Sequence, residues 1–280
     1  MFDFSEDEIQ RYSRHILLKE IGVEGQERIR QGRVLIVGAG GLGSPVLMYL
    51  AAAGVGTIGV VDGDVVDASN LQRQIMHFTA DIGRPKAQSA EAKAVAINPH
   101  VRVERHDAFL DADNAADIIA RYDFVIDATD NFACKFLIND ACVMAGKAFS
   151  HAGVLRFEGQ AFTHIPGTAC YRCLFREPPE QGTVPTCSEA GVMGPVVGVI
   201  GSVQATEAIK YLTGAGRLLT NRLLTFNALD MQFRTVAIRR DQHCAVCGDN
   251  PTITTLEQYD TPACMTRTNG KGGQCQCETR

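Results

Sequence analysis

A glycine-rich turn is the first feature of the sequence that could do chemistry. The letters Gly38-Ala39-Gly40-Gly41-Leu42-Gly43 follow an apolar run and precede a helical pattern, and Asp62 ends the next apolar run 19 residues after Gly43. Glycines let a backbone approach a phosphate, unpaired N–H groups at a helix start attract it, and the acid can accept hydrogen bonds from ribose hydroxyls. This pattern predicts a nucleotide site at Gly38, Gly40, Gly41, Gly43 and Asp62. The alternative is a glycine turn kept only for tight packing of a strand on a helix.

Polar and charged residues follow the ends of the predicted strands. Ser69-Asn70-Leu71-Gln72-Arg73 comes after the second strand, Lys86 begins a predicted helix, and Asp130-Asn131 follows the fourth strand. A nicotinamide ring needs a flat apolar slot, whereas a triphosphate with a hard cation needs Arg, Lys and carboxylate oxygens. Arg73, Lys86 and Asp130 therefore favour ATP with Mg2+ over NAD. The alternative is that both cations are solvated surface charges and that Asp130 caps a helix.

Four cysteines form two Cys-x-x-Cys pairs separated by 70 residues, Cys170 with Cys173 and Cys244 with Cys247. Four thiolates complete a tetrahedral Zn2+ shell without an open position, so the predicted zinc is structural rather than catalytic. A redox dithiol is the alternative, but it needs only one such pair beside a strand-helix unit. A zinc ion here would join the end of the folded chain to the segment around residue 173.

The segment at about 174–190 is rich in Pro, Gly and Glu and has neither a helical nor a strand period, which predicts an exposed crossing loop. Cys187 lies near its end. An exposed thiol becomes a nucleophile when its pKa is lowered, but no cationic residue adjoins Cys187 in sequence, so its position alone does not favour a catalytic role. The seven histidines have no spacing suited to a metal site or a triad, and we interpret them as structural or solvated.

The segments that must position these residues alternate between strand and helix patterns. Predicted strands lie at about 33–38, 57–62, 101–106, 124–127 and 148–153, with helices at about 42–54, 85–97, 113–121 and 131–145. A further strand (160–165), a helix (194–213) and two strand-like segments (222–228 and 233–240) follow. Strands joined by helical crossovers form a parallel sheet with helices on both faces. The predicted fold is a Rossmann-like, doubly wound α/β domain over residues 1–250, mostly parallel with antiparallel C-terminal strands, and residues 251–280 are predicted to form a flexible tail.

Composition excludes several classes of protein. The chain has 27 Lys and Arg against 32 Asp and Glu, a formal charge of −5 that argues against nucleic-acid binding. The longest weakly polar run, Gly191 to Val203, contains glycines and a proline and is shorter than the ~20 residues of a membrane span. The acidic, polar first residues lack the features of a secretory signal, which predicts a cytoplasmic protein. None of the ten cysteines precedes Cys134, and a chain with a core this large needs no disulfides, so reduced thiols or metal ligands are expected.

Several stretches between about residues 8 and 250 match one family together. They are RYSRHILL, GAGGLGSPV, VVDGDVVDASNLQRQ, GRPKA, DATDNF, CYRC, CAVC and SEAGVMGPVVGVIGSVQATEAIK. In these stretches the sequence resembles the bacterial E1-like ThiF/MoeB family of adenylyltransferases. The resemblance implies ATP-dependent adenylation of the C-terminal glycine carboxylate of a small ubiquitin-like sulfur-carrier protein ending in Gly-Gly, of the MoaD or ThiS type, with release of pyrophosphate.

The resemblance also assigns roles to residues of this sequence. It places Gly41 and Asp62 at the nucleotide, and Asn70, Arg73 and Lys86 at the phosphates. Asp130 would act through Mg2+, and Arg14 would come from the partner subunit of a homodimer. The four paired cysteines match the family's zinc site. Cys187 matches a position where ThiF-type relatives link covalently to sulfur and where MoeB-type relatives have a less critical cysteine.

The end of the sequence departs from some relatives, which carry an appended rhodanese sulfurtransferase domain. The 33 residues after Cys247 are too few for one, so a separate sulfur donor protein is expected. Cys264, Cys275 and Cys277 are unusual in the family, and Cys275 with Cys277 could accept sulfur or metal, although we favour an unstructured end. A NAD-dependent oxidoreductase and a non-catalytic relative that binds ubiquitin-like proteins stay alternatives. The carrier's pathway, among molybdopterin, thiamine, tRNA thiolation, cysteine and secondary-metabolite routes, is not determined by the sequence.

Overall fold

A single eight-stranded sheet organises the residues that the computed structural model describes, namely 3–179, Thr183 and 187–258. Its strands are β1 (Arg33–Val37), β2 (Thr57–Val61), β3 (Arg102–His106), β4 (Phe124–Asp127), β5 (Ala148–Leu155), β6 (Glu158–His164), β7 (Arg222–Asn227) and β8 (Gln232–Ala237). The helices are α1 (Glu6–Ile16), α2 (Gly22–Gln31), α3 (Gly43–Ala53), α4 (Lys86–Ile97), α5 (Ala115–Ile119), α6 (Phe132–Met144), α7 (Tyr171–Leu174), α8 (Cys187–Ala190) and α9 (Gly194–Thr213). Every strand and helix predicted above is present, with small shifts at the ends.

The order of the strands is β3-β2-β1-β4-β5-β6-β7-β8. The first five are parallel to their neighbours, and β5 through β8 pair antiparallel. This confirms the predicted doubly wound sheet with antiparallel C-terminal strands. The direction of winding reverses between β1 and β4, and in such sheets the crevice beyond the carboxyl ends of the two strands at this point binds ligands.

Side chains that alternate along the central strands build two cores. Val34 and Ile36 of β1 face a core formed with α3, α4 and α9, and Leu35 and Val37 face a second core formed with α5 and α6. Strands buried on both faces have continuous apolar sequences, which explains why β1 and β2 were easily recognised. The two cores hold the carboxyl ends of β1, β2 and β4 rigidly beside one another.

Two helices at the start of the chain were not predicted. Ser5 caps α1, and the side chain of Glu8 accepts a hydrogen bond from the backbone of Ser5, so the Ser-x-x-Glu capping box was the signal that could have found this helix. The ring of Tyr12 lies against Gly54, which ends α3. The helix α1 therefore packs at the end of α3 that is remote from the glycine-rich turn.

The predicted crossing loop and tail fall partly outside the described residues. Residues 175–179 are irregular after α7, and the short helix α8 begins at Cys187, which the sequence had assigned to the loop. The prediction of a flexible tail concerns residues 251–280, of which only 251–258 are described. No helix in the described part of the chain is both long enough and apolar enough to cross a membrane.

Candidate nucleotide-binding site

The glycine-rich turn joins β1 to α3, and its glycines serve different purposes. Gly38 has a positive φ of 99°, and a Cβ there would lie 2.8 Å from the carbonyl oxygen of Ala128, while a Cβ on Gly43 would collide with the carbonyl oxygen of Gly38. These two glycines are required for packing, as the alternative interpretation held. At Gly40 the nearest atom to an added Cβ is 3.5 Å away, in Gln74. The fold leaves room for a side chain at Gly40, so packing alone does not explain this glycine.

Asp62 stands just beyond the end of β2 and turns toward the glycine-rich turn. Its Oδ2 accepts a hydrogen bond from the backbone N–H of Ala39 at 2.7 Å, and its Oδ1 accepts one from Asp64 at 2.8 Å. Burial raises the pKa of Asp62, and the nearby charge of Lys86 partly opposes that rise. Each carboxylate oxygen can accept a further hydrogen bond, so the predicted contact with a ribose stays compatible with this geometry.

The segment that carries Ser69, Asn70, Leu71, Gln72 and Arg73 lies over the glycine-rich turn. It begins as a short 3-10 helix, Ala68–Asn70, which the side chain of Asp67 caps. The side chain of Arg73 lies beside Gly41, with its Cγ 3.6 Å from an ideal Cβ position there, and its Nη1 donates to the carbonyl oxygen of Ser69 at 3.1 Å. The structure thus brings Arg73 to the turn, with its guanidinium only partly engaged.

Lys86 is the first residue of α4 and is buried, with 7% of its surface exposed. Its Nζ donates to Oδ2 of Asp64 at 3.0 Å. A buried ammonium group is stable only beside an anion, and here the anions are Asp64 and the neighbouring Asp62. Lys86 is therefore not the solvated surface charge of the alternative interpretation.

Asp130 and Asn131 follow β4 and precede α6. The side chain of Asn131 accepts a hydrogen bond from the N–H of Cys134 at 2.8 Å and so caps α6. Asp130 is exposed, and within the described part of the chain it takes part in no hydrogen bond or ion pair. The helix cap is thus Asn131 rather than Asp130, which leaves the carboxylate of Asp130 available at the same edge as the glycine-rich turn.

A buried group of charged residues behind this edge was not predicted. The carboxylate of Asp127 accepts hydrogen bonds from Lys135 Nζ at 3.1 and 3.2 Å and from His151 Nδ1 at 2.8 Å. All three residues are buried. The histidines had been interpreted as structural or solvated, and the signal that could have revealed this group was an aspartate at the end of an apolar strand with a lysine eight residues later.

The four paired cysteines come together as predicted. Their sulfur atoms all lie within 4.8 Å of one another, with separations of 3.9 Å for Cys170–Cys173, 3.6 Å for Cys170–Cys244 and 3.4 Å for Cys173–Cys247. Tetrahedral zinc with Zn–S bonds of about 2.3 Å requires sulfur separations of about 3.8 Å. The cluster therefore fits a metal ion of this type.

Contacts outside the cysteines hold the first pair in place. The guanidinium of Arg172 donates twice to the carboxylate of Asp140, at 2.8 Å each, and the N–H of Tyr171 donates to Asn139 Oδ1 at 2.7 Å. The N–H of Asp241 donates to the sulfur of Cys173 at 3.3 Å, which favours the thiolate form. The cluster thus joins α6, α7 and the segment that follows β8.

Comparison with known proteins decides the family of this chain. Residues 12–246 match the ThiF family. The chain belongs to the ThiF family. The protein named "Probable adenylyltransferase/sulfurtransferase MoeZ" of Mycobacterium tuberculosis is 50% identical over 261 residues, which are 91% of this chain and 65% of that protein. This ThiF-family chain thus spans about two-thirds of the length of the mycobacterial relative.

A second relative matches the ThiF-family chain over almost its whole length. The sulfur carrier protein adenylyltransferase of Thermus thermophilus is 47% identical over 263 residues, covering 92% of this chain and 97% of that protein. Among solved structures, Escherichia coli MccB superimposes with a TM-score of 0.77 at 22% identity, covering 92% of this chain and 76% of that chain. At this identity, the similarity to MccB concerns the fold alone.

One predicted site residue, Arg14, does not lie at the glycine-rich turn of its own chain. Arg14 is exposed on α1, two residues from Tyr12, which packs at the far end of α3. Because α3 has 11 residues, this end is about 16 Å from the glycine-rich turn. Cys187 begins α8, but its side chain lies outside what the structure describes.

The buried histidine leads to a prediction about acid stability. Burial, with a further contribution from Lys135, lowers the pKa of His151 to about 4. The unfolded chain therefore takes up a proton below its pKa of ~6.5 that the folded chain does not take up until about pH 4. The stability contribution of neutral His151 is complete above pH ~6.5 and decreases as the pH falls. We expect His151 to remove about 2 kcal/mol from the free energy of unfolding between pH 7 and pH 5.

Urea unfolding of the wild type and of His151→Asn at both pH values measures this contribution. Asparagine keeps a donor for Asp127 but does not titrate. Burial also lowers the pKa values of His77 and His164, so these residues reduce the free energy of unfolding at pH 5 equally in the wild type and the variant. The variant should therefore show the smaller loss of stability at pH 5. An equal loss in the two proteins would contradict the assignment.

Proposed function

We propose that this chain uses ATP to adenylate the C-terminal carboxylate of a small ubiquitin-like sulfur-carrier protein ending in Gly-Gly, with release of pyrophosphate. The name of the Thermus thermophilus relative, a sulfur carrier protein adenylyltransferase, supports this proposal. The observation that carries it is the placement of Arg73, Lys86 and Asp130 around a glycine-rich turn that leaves space at Gly40. An anionic ligand with a metal ion suits this combination of two cations, a free carboxylate and a helix N-terminus.

The reaction needs charge neutralisation more than proton transfer. An oxygen of the carrier carboxylate forms a bond to the α-phosphorus, and the bond from that phosphorus to the α–β bridging oxygen breaks, so pyrophosphate leaves with the electron pair. The nucleophile is already ionised at neutral pH, so no general base is required. Two anions must approach each other, and the resulting barrier is largely electrostatic.

Different residues of the chain would bind the nucleotide and neutralise its charge. Gly40 and Gly41 would admit the phosphates to the N–H groups at the start of α3, and Asp62 would bind the ribose. Arg73 and Lys86 would bind the phosphates and stabilise the charge that develops on pyrophosphate. Mg2+, which would be bound by Asp130, supplies further neutralisation of the triphosphate. The segment around Asn70 would add a further contact to the phosphates.

A second copy of the chain would complete the site. Arg14 is on α1, which packs at the end of α3 about 16 Å from the glycine-rich turn, so the bound triphosphate of a partner subunit is the better candidate for its contact. We propose a homodimer in which each chain supplies Arg14 to its partner. The cysteine cluster would hold one structural Zn2+. A separate sulfur donor and a cytoplasmic location stay predictions from the sequence.

The decisive experiment is ATP–pyrophosphate exchange with purified chain, Mg2+ and a carrier whose C-terminus is Gly-Gly. We expect exchange only with the intact carrier, and intact mass spectrometry should show the carrier adenylate. A carrier truncated by its final glycine is the matched control. Carrier binding without exchange would overturn the proposed activity and indicate a non-catalytic relative. Tight binding of NAD at the turn, with no effect of ATP, would contradict the nucleotide assignment.

Cys187 is expected to act after adenylation. We predict that Cys187→Ser retains pyrophosphate exchange within a few-fold of wild type, because no thiol is needed to form the adenylate. Formation of the carrier thiocarboxylate should fall to a small fraction, because a serine hydroxyl can form neither a persulfide nor an acyl disulfide. The assay reconstitutes the chain with carrier, ATP and a sulfur donor, and follows the carrier by mass. Undiminished thiocarboxylate formation would show that Cys187 has no role in sulfur transfer.

A further inference from the structure

The turn that carries Asp130 is held at both of its ends. At the later end, the side chain of Asn131 caps α6. At the earlier end, Oδ1 of Asp127 accepts hydrogen bonds from the N–H of Thr129 at 3.1 Å and from its hydroxyl at 2.7 Å. Asp130 lies between these two anchors and is exposed. The direction of its carboxylate therefore depends on the geometry that the anchors impose.

The turn that carries Asp130 also packs against the glycine-rich turn. The carbonyl oxygen of Ala128 lies 2.8 Å from the position of an ideal Cβ on Gly38, and the N–H of Ala128 donates to the carbonyl oxygen of Val37 at 2.9 Å. The residues after β4 thus pack directly on the residues after β1, at the point where the sheet reverses its winding. A displacement of this turn would move Asp130 relative to the phosphate-binding backbone.

The carboxylate of Asp127 is itself held by two further residues. Lys135 Nζ contacts both of its oxygens and also donates to the carbonyl oxygen of Ala152 at 2.7 Å, which uses all three of its hydrogens. His151 Nδ1 donates to Oδ2. Burial alone would raise the pKa of Asp127, but Lys135 and His151 hold it well below the usual range, so Asp127 stays ionised.

A buried group of this kind is not explained by stability alone. Replacement of a buried ion pair by apolar residues of similar volume is often neutral or stabilising, because removing charges from water is costly. A buried carboxylate, unlike an apolar side chain, accepts hydrogen bonds in fixed directions. Here the two bonds that remain for that acceptor go to Thr129, the residue immediately before Asp130.

We infer that Asp127, held by Lys135 and His151, is a positioning residue that sets the turn at Thr129 so that Asp130 can bind the metal of a Mg2+–nucleotide. This inference rests on the proposed function, since it assumes that Asp130 serves Mg2+. Asp127 is buried, so it would act through the backbone of the turn rather than by contact with the ligand. Its effect should therefore appear in the Mg2+ dependence of nucleotide binding rather than in nucleotide binding as such.

Thr129→Val is the variant that tests the inference. Valine has nearly the shape of threonine but lacks the hydroxyl that donates to Asp127, and the substitution leaves no buried charge unpaired, whereas Asp127→Asn would leave Lys135 without its anion. We expect the Mg2+ concentration for half-maximal ATP binding to rise about 10-fold, the scale of one hydrogen bond to a charged group. ATP binding in the presence of a chelator should not change, and Thr129→Ser should restore the wild-type Mg2+ dependence.

A double-mutant cycle with Asp130→Ala separates positioning from a general structural effect. If Thr129 acts through Asp130, the double variant should need no more Mg2+ than Asp130→Ala alone. Additive effects, or a Thr129→Val protein with wild-type Mg2+ dependence, would overturn the inference. Because the readout is calorimetric binding of ATP with and without Mg2+, it is independent of turnover. The proposed function and the positioning role can fail separately. If the double-mutant cycle gives the expected Mg2+ dependence but the wild type shows no carrier-dependent exchange, the proposed function is refuted and the positioning role is retained.

Discussion

Alanine in place of Arg73 or Asp130 is expected to lower carrier-dependent pyrophosphate exchange by at least ~100-fold, the scale of losing one transition-state charge contact. Arg73 lies beside Gly41, and Asp130 is exposed at the same edge of the sheet. Neither side chain packs in a core, so the loss should come from the reaction and not from unfolding. The measurement is exchange at saturating ATP and carrier, with thermal unfolding of each variant as the check on folding.

Two exposed residues of the same types serve as matched controls. Arg102 at the start of β3 pairs with Glu104 on the surface, and Asp113 is exposed after β3. Arg102→Ala and Asp113→Ala should keep exchange close to that of wild type. If Arg73→Ala and Asp130→Ala also stayed within a few-fold of wild type, the assignment of these two residues to the phosphates and the metal would be wrong.

Loss of zinc should have the second large effect, on stability. The wild type is expected to contain one zinc ion per chain, and Cys244→Ser should lose it and lower the free energy of unfolding by about 4 kcal/mol or more. The physical reason is that the cluster joins segments 70 residues apart, α7 and the stretch after β8, which share only a small core of their own around Val246. Zinc content by mass spectrometry and unfolding in urea measure the two effects.

Cys134→Ser is the control for this prediction. Cys134 is half-buried at the start of α6 and is not part of the cluster. The control variant should retain its zinc and most of its stability. A wild-type chain that binds no zinc when folded in its presence, or a Cys244→Ser chain as stable as the control, would show that the cluster is not a structural metal site.

Local sequence was sufficient for most of the fold. The apolar runs of β1 and β2 and the helical period of α4 and α6 are short-range patterns, and each predicts its element without knowledge of the rest of the chain. The short helices α7 and α8 were missed because four residues are too few to show a period. The helix α1 was missed although its Ser5–Glu8 capping box is a local signal.

Local motifs also predicted much of the site. The glycine-rich turn and the two cysteine pairs are contiguous in sequence, and their spacing reflects a geometry that the backbone forms over a few residues. Lys86, in contrast, had two interpretations, because sequence alone does not reveal burial. Only the packing of α4 beside β2, with Asp64 3.0 Å from its ammonium group, decided between them.

What the sequence by itself determined is the type of sheet, the turn after β1 and the two Cys-x-x-Cys pairs, since these follow from short-range spacing and hydrophobic period. The tertiary structure alone decided that Asp127 of β4 and His151 of β5 meet, because the register of these two strands places them directly opposite each other. It also decided that α1, which carries Arg14, packs at the end of α3 that is remote from the turn. Contacts between residues distant in sequence depend on how strands and helices pack, and no local pattern encodes that choice.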